Sequence, residues 1–173
     1  MITIEKVSPK TRAMLEAFLW EQCEMHYGEK ITPERYDVLK KRLHKECENP
    51  HNALFIARNE QDRIVGSIAL SAYDHRIETL KHYYTHHDNI AEVSRCYVDA
   101  RYRRQGIGGM LFDHAQRFAK ECGYETLYLH THYFLPGGFY FWKKMGFEIS
   151  IDEHDSWQTV HMERLVGAVS CCA

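Results

Sequence analysis

Glycine and arginine are concentrated in residues 101–109, RYRRQGIGG, directly before a helical pattern. The three glycines let the backbone turn so that successive N–H groups face one concavity at the positive end of the following helix. The three arginines add side-chain charge, and a guanidinium matches the geometry of phosphate oxygens. The residues concerned are Gly106, Gly108, Gly109, Arg101, Arg103 and Arg104. This composition indicates a site for a diphosphate group, although a loop that merely turns the chain also uses glycine.

The same stretch does not match two common phosphate-binding loops. Nucleotide triphosphatases carry Gly-Lys-Ser or Gly-Lys-Thr at the end of the loop, and neither tripeptide occurs in the sequence. Dinucleotide-binding folds place a third glycine three residues after the second, where Leu111 stands, and they use the first strand of the chain. Neither class of site is therefore indicated.

Two motifs resemble those of the GNAT superfamily of acyl-CoA N-acyltransferases. Residues 91–115, AEVSRCYVDARYRRQGIGGMLFDHA, resemble its central motif, with the R-x-x-G-x-G core at Arg103, Gly106 and Gly108. Residues 139–147, FYFWKKMGF, resemble its second motif, a short helix that ends in a glycine-phenylalanine pair. The resemblance extends over nearly the whole chain and implies transfer of an acyl group from acetyl-CoA.

The resemblance also assigns residues to the co-substrate acetyl-CoA. It implies that the backbone of three strand residues pairs with the pantetheine arm at a splayed strand, and that an N–H group of residue 96 or 97 stabilises the oxyanion. These residues are Cys96, Tyr97 and Val98. It further implies that backbone amides of the following loop bind the diphosphate. The loop residues are Arg103, Arg104, Gln105, Gly106, Ile107, Gly108 and Gly109.

Attack by an amine on a thioester needs a base, because an alkyl amine has a pKa of about 10 and is protonated near neutral pH. Glu92 precedes the motif strand at the position where the resemblance places a frequently used glutamate. We therefore predict Glu92 as the catalytic base, acting directly or through a water molecule. The alternative interpretation is a solvent-exposed carboxylate at the end of the strand.

The acid that protonates the departing thiolate is harder to assign. Counting back from Gly146, the position at which many relatives carry a tyrosine is Trp142, and an indole N–H is not acidic in the working pH range. We predict Tyr140, two residues earlier, as the acid, with Tyr133 and His132 as alternatives. The thiolate can also leave unaided, since thiols are only weakly basic.

Histidine and acidic residues elsewhere suggest further hypotheses. His130 and His132 share one face of a predicted strand, but their spacing is not that of a closed zinc site, so we predict no metal. The three histidines between positions 82 and 87 indicate a solvated loop. The acidic turn at 152–155, DEHD, borders the acceptor site in the resembling family. It either favours a cationic acceptor or merely solubilises a turn.

Hydrophobic periodicity places these motifs on a regular series of elements. Strands are predicted at 2–7, 53–57, 64–72, 92–98, 126–129, 147–151 and 159–165. Helices are predicted up to Gly28, from Pro33 to Asn49, at 107–122 and at 137–145. Together with the resemblance, the order β α α β β β α β α β β predicts an α/β fold. Its sheet is mixed and mostly antiparallel, has about seven strands and a central splay, and is covered by helices on both faces.

Length and composition limit the remaining alternatives. The 173 residues, 45% of them apolar, predict a single domain at 1–166 and a short tail at 167–173. A formal net charge of -2 argues against nucleic acid as a partner. The N-terminal residues have no signal-peptide pattern, no apolar run has the length of a membrane span, and the six cysteines form no CxxC pair. We therefore expect a cytoplasmic protein with reduced thiols and no membrane partner.

These features predict an N-acetyltransferase. The acetyl group would pass from acetyl-CoA to a primary amine of a small molecule or peptide by direct attack in a ternary complex. Because Trp142 occupies the usual position of the acid, the alternative is a module that binds acyl-CoA for regulation or interaction, with little or no turnover. A homodimer is compatible with these patterns. They do not encode the acceptor, because specificity lies in variable helices and loops.

Overall fold

The computed structural model describes residues 1–86 and 88–167. Its strands are β1 (Thr3–Lys6), β2 (Ala53–Arg58), β3 (Ile64–Ala72), β4 (Ile90–Val98), β5 (Thr126–His132), β6 (Glu148–Asp152) and β7 (Thr159–Leu165). Its helices are α1 (Arg12–Tyr27), α2 (Pro33–Glu48), α3 (Ile107–Glu121) and α4 (Gly138–Lys144). The predicted order of elements is confirmed. His87 of the predicted loop, and the predicted tail beyond Gly167, lie outside the described residues.

The seven strands form one sheet in the order β1-β2-β3-β4-β5-β7-β6. Neighbouring strands are antiparallel at β1–β2, β2–β3, β5–β7 and β6–β7, whereas β4 and β5 run parallel. A parallel pair needs a crossover connection, and α3 lies in the connection between β4 and β5. The predicted α/β fold with a mixed, mostly antiparallel sheet is thus confirmed.

The helix boundaries agree closely with the predicted ones, whereas the boundaries of two strands differ from the prediction. α1 ends at Tyr27 and is capped by Gly28, which has a φ of 50°. Thr32 caps α2 by accepting a hydrogen bond from the Arg35 N–H at 3.2 Å. β4 begins at Ile90, earlier than predicted, and β5 continues to His132, later than predicted. Among the helices of the described chain, none has both the length and the apolar character needed to cross a membrane.

The chain is divided into two compact units. The first, which we call the N-terminal unit, comprises residues 1–70 and 95–118. Its core is formed by apolar side chains of α1, α2, β2 and β3, with Tyr97 of β4 packed against it. The buried members are Leu15, Phe18, Leu19, Leu43, Leu54, Ile56, Ile64 and Ala69. This core holds the two N-terminal helices on the strands that precede the glycine loop.

Gly66 of β3 lets α3 approach the strands of the N-terminal unit closely. A Cβ atom at this position would lie 3.0 Å from Leu111 Cδ1 and 3.3 Å from Ile107 Cγ2, both on α3. It would also lie 3.2 Å from the Tyr97 carbonyl oxygen of β4. Any side chain larger than hydrogen would therefore push α3 or β4 aside. The start of α3, and with it the glycine loop, has a fixed position on β3 and β4.

The second unit, which we call the C-terminal unit, comprises residues 71–94 and those from 119 onward. Its buried cluster consists of Tyr73, Leu80, Tyr84, Ile90 and Tyr128. The Tyr73 and Tyr84 rings lie 5.1 and 5.9 Å from the Tyr128 ring between centroids, and such aromatic pairs contribute about 0.5–1.5 kcal/mol each. Aromatic packing thus orders the polar stretch that follows β3, where the sequence has no hydrophobic period. His82 and His86 of this stretch are exposed, as predicted.

Candidate active site

β4 leaves its regular ladder part-way along its length. The parallel ladder with β5 covers residues 90–92 and 126–128. Three residues later Arg95 has a φ of 49°, in the left-handed region, and such a residue bends a strand. β4 then continues to Val98. A bend at this point is what the predicted central splay requires.

An ion pair within the N-terminal unit holds this bend. The Arg95 guanidinium lies 3.2 Å from Glu46 Oε2 of α2 through both Nε and Nη2. Arg42 Nε donates to the other oxygen of Glu46 at 3.0 Å, and Ser67 Oγ donates to the Arg95 carbonyl at 2.8 Å. The side chains of Arg95 and Glu46 are only 13% and 9% exposed. The unfavourable backbone conformation persists because contacts at both its side chain and its carbonyl fix Arg95.

Glu46→Gln should destabilise the protein, because it leaves the nearly buried Arg95 without its counter-ion. Breaking a fully buried pair costs about 3–5 kcal/mol, and partial exposure reduces this to roughly 2 kcal/mol. Urea unfolding measures the loss. Glu48→Gln, at an exposed position of the same helix, is the matched control and should change stability by less than about 0.5 kcal/mol. Equal stability of the two variants would show that the pair does not hold the bend.

The loop at 103–109 presents backbone amides at the start of α3. Arg104 and Gly106 have φ values of 63° and 78°, so the backbone enters the left-handed region twice before Ile107 begins the helix. The first amides of a helix have no acceptor inside it. A Cβ atom added at Gly106 or Gly109 would meet no atom within 4 Å, so the surface at these glycines is open. This geometry fits a diphosphate, which needs converging N–H donors and room for its oxygens.

The three arginines of the loop have different surroundings. Asp99 accepts hydrogen bonds from Arg101 Nε at 3.1 Å and Nη2 at 2.6 Å, and so compensates its charge. Arg103 Nε donates to a β4 carbonyl at 3.2 Å, and its Nη2 lies 3.3 Å from His26 Nε2 of α1. Arg104 is exposed, and its side chain has no partner in the part of the chain that the structure describes. Arg104 is therefore the arginine best placed to meet a phosphate.

The end of α1 contacts the strand residues that the resemblance assigns to the pantetheine arm. The Tyr97 hydroxyl shares hydrogen bonds with the Cys23 thiol and the Tyr27 hydroxyl, and its ring stacks on His26 with 6.0 Å between centroids. Burial, and then the neighbouring Tyr27, hold the pKa of Tyr97 well above its usual value. Burial also raises the pKa of the Cys96 thiol to about 12. Both side chains therefore stay protonated near neutral pH, and the contacts of Tyr97 anchor the strand on α1.

Glu92 lies inside β4, in the C-terminal unit, and is 1% exposed. Its two carboxylate oxygens accept hydrogen bonds from Arg76 Nη1 at 2.6 Å and Nη2 at 2.7 Å. Burial acts to lower the pKa of Arg76, but its hydrogen bonds to Glu92 and Asp74 raise it above the usual value, so Arg76 stays charged. The alternative interpretation of Glu92 as a solvent-exposed strand end is wrong, because β4 begins earlier than predicted and places Glu92 opposite Tyr128 of β5.

His130 is a second titratable group beside Glu92. Its Nδ1 lies 3.8 Å from Glu92 Oε1, and its side chain is 34% exposed. Loss of hydration lowers the pKa of His130 to about 4; the Glu92 charge opposes this shift and the Arg76 charge adds to it. The ring is therefore neutral near neutral pH. A neutral imidazole that reaches solvent is able to accept a proton.

Acid should destabilise the protein through His130. The unfolded chain binds a proton at this residue near pH 6.5 and the folded chain only near pH 4, so stability is lost as the pH falls through this window. Urea unfolding near neutral pH and near pH 4.5 measures the free energy of unfolding that is lost on acidification. After a discount for exposure, we expect this loss to be roughly 1–2 kcal/mol smaller in His130→Asn than in the wild type. His154→Asn, at a side chain that is 84% exposed, is the control. Equal acid sensitivity of wild type and His130→Asn would contradict this expectation.

His130 and His132 share one face of β5, as predicted, with 6.2 Å between their ring centroids. Within residues 1–86 and 88–167, no three histidine, cysteine or acidic side chains converge on a point where a metal ion would bind. The His132 ring stacks on Phe134 with 5.2 Å between centroids, and its Nδ1 lies 3.3 Å from Thr159 Oγ1. His130 and His132 thus contact other side chains of the C-terminal unit.

Residues 14–147, more than half of the chain, match the model of the acetyltransferase (GNAT) family. The chain belongs to the GNAT acetyltransferase family. The description of this family is that of acetyltransferases. The matched range contains both the loop at 103–109 and Glu92, and the resemblance inferred from the two motifs is confirmed.

Individual relatives of this GNAT protein are distant. Over 68 residues it is 37% identical to the probable N-acetyltransferase san of Drosophila melanogaster, an alignment that covers 36% of this chain and 37% of that protein. A GNAT-family acetyltransferase of Staphylococcus aureus Mu50 has a TM-score of 0.75 at 20% identity, with 96% and 99% of the two chains covered. The PaiA N-acetyltransferase of Thermoplasma acidophilum, solved in complex with coenzyme A, has a TM-score of 0.70 at 22% identity, with 95% and 99% covered. These two structures establish the GNAT fold.

The residue at the usual position of the GNAT acid is part of the core. Trp142 is 6% exposed and packs on Phe147 with 5.3 Å between ring centroids. Tyr140 is 77% exposed, and its ring contacts Phe139 at 5.5 Å. Two residues on a helix are about 200° apart, which accounts for the difference in exposure. Tyr140 as the acid stays a prediction.

Tyr133, one of the alternatives to Tyr140, already has a carboxylate partner. Its hydroxyl donates to Asp152 Oδ2 at 2.9 Å, and its ring lies 5.1 Å from that of Phe139. Burial, followed by this hydrogen bond, raises the pKa of Tyr133. A tyrosine with a raised pKa gives up its proton less readily, so this environment does not favour Tyr133 as an acid.

The acidic turn at 152–155 uses its carboxylates within the C-terminal unit. Asp152 accepts a hydrogen bond from the His154 N–H at 3.0 Å, and Asp155 accepts one from the Thr159 N–H at 2.8 Å. These backbone hydrogen bonds lower the pKa of both aspartates. The carboxylates thus stabilise the turn itself. A preference for cationic acceptors at this segment stays a prediction.

Sequence reasoning missed two polar residues beside Glu92 and Tyr128. Arg76, which binds both Glu92 oxygens, stands in a polar stretch where a single arginine has no informative spacing. His161 of β7 is 2% exposed, and its Nδ1 lies 2.7 Å from the Tyr128 hydroxyl. In the sequence, His161 stands between the apolar residues Val160 and Met162. This position indicates a polar residue inside a strand.

Proposed function

We propose that this GNAT protein transfers an acetyl group from acetyl-CoA to a primary amine of a small molecule or peptide, by direct attack in a ternary complex. The observation that carries the proposal is the loop at 103–109. There, two residues with left-handed backbone, an open surface at two glycines and an exposed Arg104 stand at the start of α3. Bound acetyl-CoA would supply the activated thioester.

In this proposal the N-terminal unit holds the co-substrate. The amides of residues 104–109 and the Arg104 guanidinium bind the diphosphate, whose negative charge is also favoured by the positive end of the α3 dipole. The backbone of residues 96–98 pairs with the pantetheine arm. An N–H group of residue 96 or 97 donates to the oxygen on which charge develops. The bend at Arg95 and the anchoring of Tyr97 by α1 keep this backbone in position.

In the C-terminal unit, Glu92 takes the amine proton, directly or through a water molecule. Arg76 contacts both carboxylate oxygens and so fixes the orientation of the Glu92 side chain. It also compensates a charge that would be costly to bury alone. Tyr140 is the proposed donor to the thiolate, and departure of the thiolate unaided is the alternative.

Release of thiol from acetyl-CoA, followed across a panel of small amines and peptides, tests this function. We expect release that depends on the acceptor, with initial-rate patterns of a ternary complex. A pattern typical of an acetyl-enzyme intermediate would contradict direct attack. Tight binding of coenzyme A with no release on any acceptor would favour the alternative of a binding module, and failure to bind coenzyme A would overturn the proposal.

A further inference from the structure

We infer that Tyr128, His161 and Glu153 form a proton relay that exchanges protons with Glu92 and His130 during turnover. The inference rests on the proposed acetyl transfer and deepens it. The three residues are positioning residues, since they act through Glu92 and His130 and need not touch a substrate. They are buried or half-buried polar groups for which the proposed mechanism otherwise has no use.

The relay is a chain of hydrogen bonds from Glu153 to His130 within the C-terminal unit, and Glu92 lies just beyond hydrogen-bond distance of its last member. The Tyr128 hydroxyl lies 2.7 Å from His161 Nδ1, and His161 Nε2 lies 2.7 Å from Glu153 Oε1. On its other side, the Tyr128 hydroxyl is 3.4 Å from His130 Nδ1, which is 3.8 Å from Glu92 Oε1. Tyr128 and His161 are 0% and 2% exposed, whereas the Glu153 side chain is 26% exposed. The chain thus joins the proposed base to a carboxylate in contact with solvent.

The register of the sheet brings these side chains together. Tyr128 and His130 are two residues apart on β5, so they lie on the same face. His130 is paired with His161 of β7, and Glu92 of β4 is paired with Tyr128. The relay therefore crosses three adjacent strands on one face of the sheet. Backbone pairing sets the positions of all these residues except Glu153, which lies just after β6 and outside the strands.

The direction of each hydrogen bond follows from the carboxylate at the end of the chain. An ionised Glu153 only accepts, so His161 Nε2 carries the hydrogen that is donated to it. The neutral ring then has an unprotonated Nδ1, which accepts the hydrogen of the Tyr128 hydroxyl. The Tyr128 oxygen keeps lone pairs for a donor on its other side, where His130 lies. Carboxylate, imidazole and hydroxyl stand in the same order in Ser-His-Asp triads.

One proton moves by two linked transfers. An amine proton that reaches His130, directly or from Glu92, passes to the Tyr128 oxygen, while the hydrogen that Tyr128 held passes to His161 Nδ1. His161 becomes an imidazolium, Glu153 compensates its charge, and Tyr128 remains a neutral hydroxyl. The reverse transfers return the proton when a thiolate leaves. The relay is thus a second source of a proton for the thiolate, beside the proposed donor Tyr140.

Other charged and titratable groups also face the relay. They are Tyr73, Arg76, Tyr84, Glu92, His132 and Glu163. Arg76 and Glu92 compensate each other, and the Tyr84 hydroxyl donates to Glu163. Burial, and then the charge of Glu92, raise the pKa of Tyr128. Tyr128 therefore passes protons by exchange and does not accumulate as tyrosinate.

Tyr128→Phe tests the relay, because it removes one oxygen and keeps the ring. We expect kcat to fall about 10–100-fold near pH 6, where the acceptor amine must lose a proton, and the defect to shrink near pH 10, where the amine is already neutral. Coenzyme A affinity should not change. Tyr84→Phe is the matched control, since Tyr84 is also a buried tyrosine bound to a carboxylate, and its pH profile should follow the wild type. A defect of equal size at every pH would overturn the relay and indicate a structural role.

Two further measurements keep the test decisive if Tyr128→Phe folds poorly. Glu153→Gln, at a partly exposed position, should give the same pH-dependent defect at smaller size, and an unchanged profile would count against the relay. Nitrogen-15 NMR of His161 needs no turnover: the Nε2–H tautomer is expected, and the Nδ1–H tautomer would overturn the relay. Absence of thiol release by the wild type would refute the proposed function, whereas NMR would still decide the hydrogen-bond chain.

Discussion

Gly106→Ala is expected to weaken coenzyme A binding by about tenfold or more, equivalent to about 1.4 kcal/mol. Gly106 has a φ of 78°, a conformation that costs an L residue about 1–2 kcal/mol, so alanine would favour a different turn of the loop. Such a change would misdirect the amides of residues 104–109 that we propose as diphosphate donors. Titration calorimetry with coenzyme A measures the loss of affinity.

Gly123→Ala is the matched control for this substitution. Gly123 follows α3 with a φ of 77°, and a Cβ added at either glycine would meet no atom within 4 Å. Both substitutions should therefore lower the free energy of unfolding by a similar amount, about 1 kcal/mol. Only Gly106→Ala should weaken the binding of coenzyme A. Equal coenzyme A affinity in the two variants would mean that the conformation of the loop does not determine binding.

Glu92→Gln should lower the rate of acetyl transfer by about 10²–10⁴-fold, the usual contribution of a general base. Glutamine keeps the shape of the side chain and a hydrogen bond to Arg76 but cannot take a proton. The loss of rate should be largest at low pH. It should diminish as the pH approaches about 10, the pKa of an alkyl amine in solution. Rate against pH, measured at saturating acetyl-CoA, follows both effects.

A control carboxylate separates the chemistry from general electrostatics. Glu163 of β7 is paired in the sheet with Tyr128, as Glu92 is, and it accepts hydrogen bonds from the hydroxyls of Tyr83 and Tyr84. Glu163→Gln removes the same charge on the same sheet and should leave the rate within a fewfold of wild type. If Glu92→Gln retains the wild-type rate and pH profile, Glu92 has no part in the chemistry.

Local sequence patterns were sufficient for the order of elements and for the glycine loop. The apolar face of α3, the glycine that ends α1 and the turns of the hairpins each depend on neighbouring residues, so their spacing shows in the sequence. The loop at 103–109 is also local, because its glycines and the following helix are contiguous. These features could be predicted without knowing which strands pair.

The surroundings of Glu92 could not be predicted in this way, because they depend on contacts between distant segments. Arg76 lies sixteen positions before Glu92, and Tyr128 and His161 are 33 positions apart. Those distances close only through the parallel ladder of β4 with β5 and the antiparallel ladder of β5 with β7. A shift of one residue in either register would turn these side chains to opposite faces of the sheet.

Titration calorimetry with coenzyme A and with pantetheine, which lacks the diphosphate, tests most directly whether residues 103–109 bind that group. We expect the wild type to bind coenzyme A at least about 100-fold more tightly than pantetheine, a difference of about 2.7 kcal/mol, and Gly106→Ala to lose most of this difference. Equal affinity of the wild type for the two ligands, or no binding of coenzyme A, would contradict a diphosphate site at this loop.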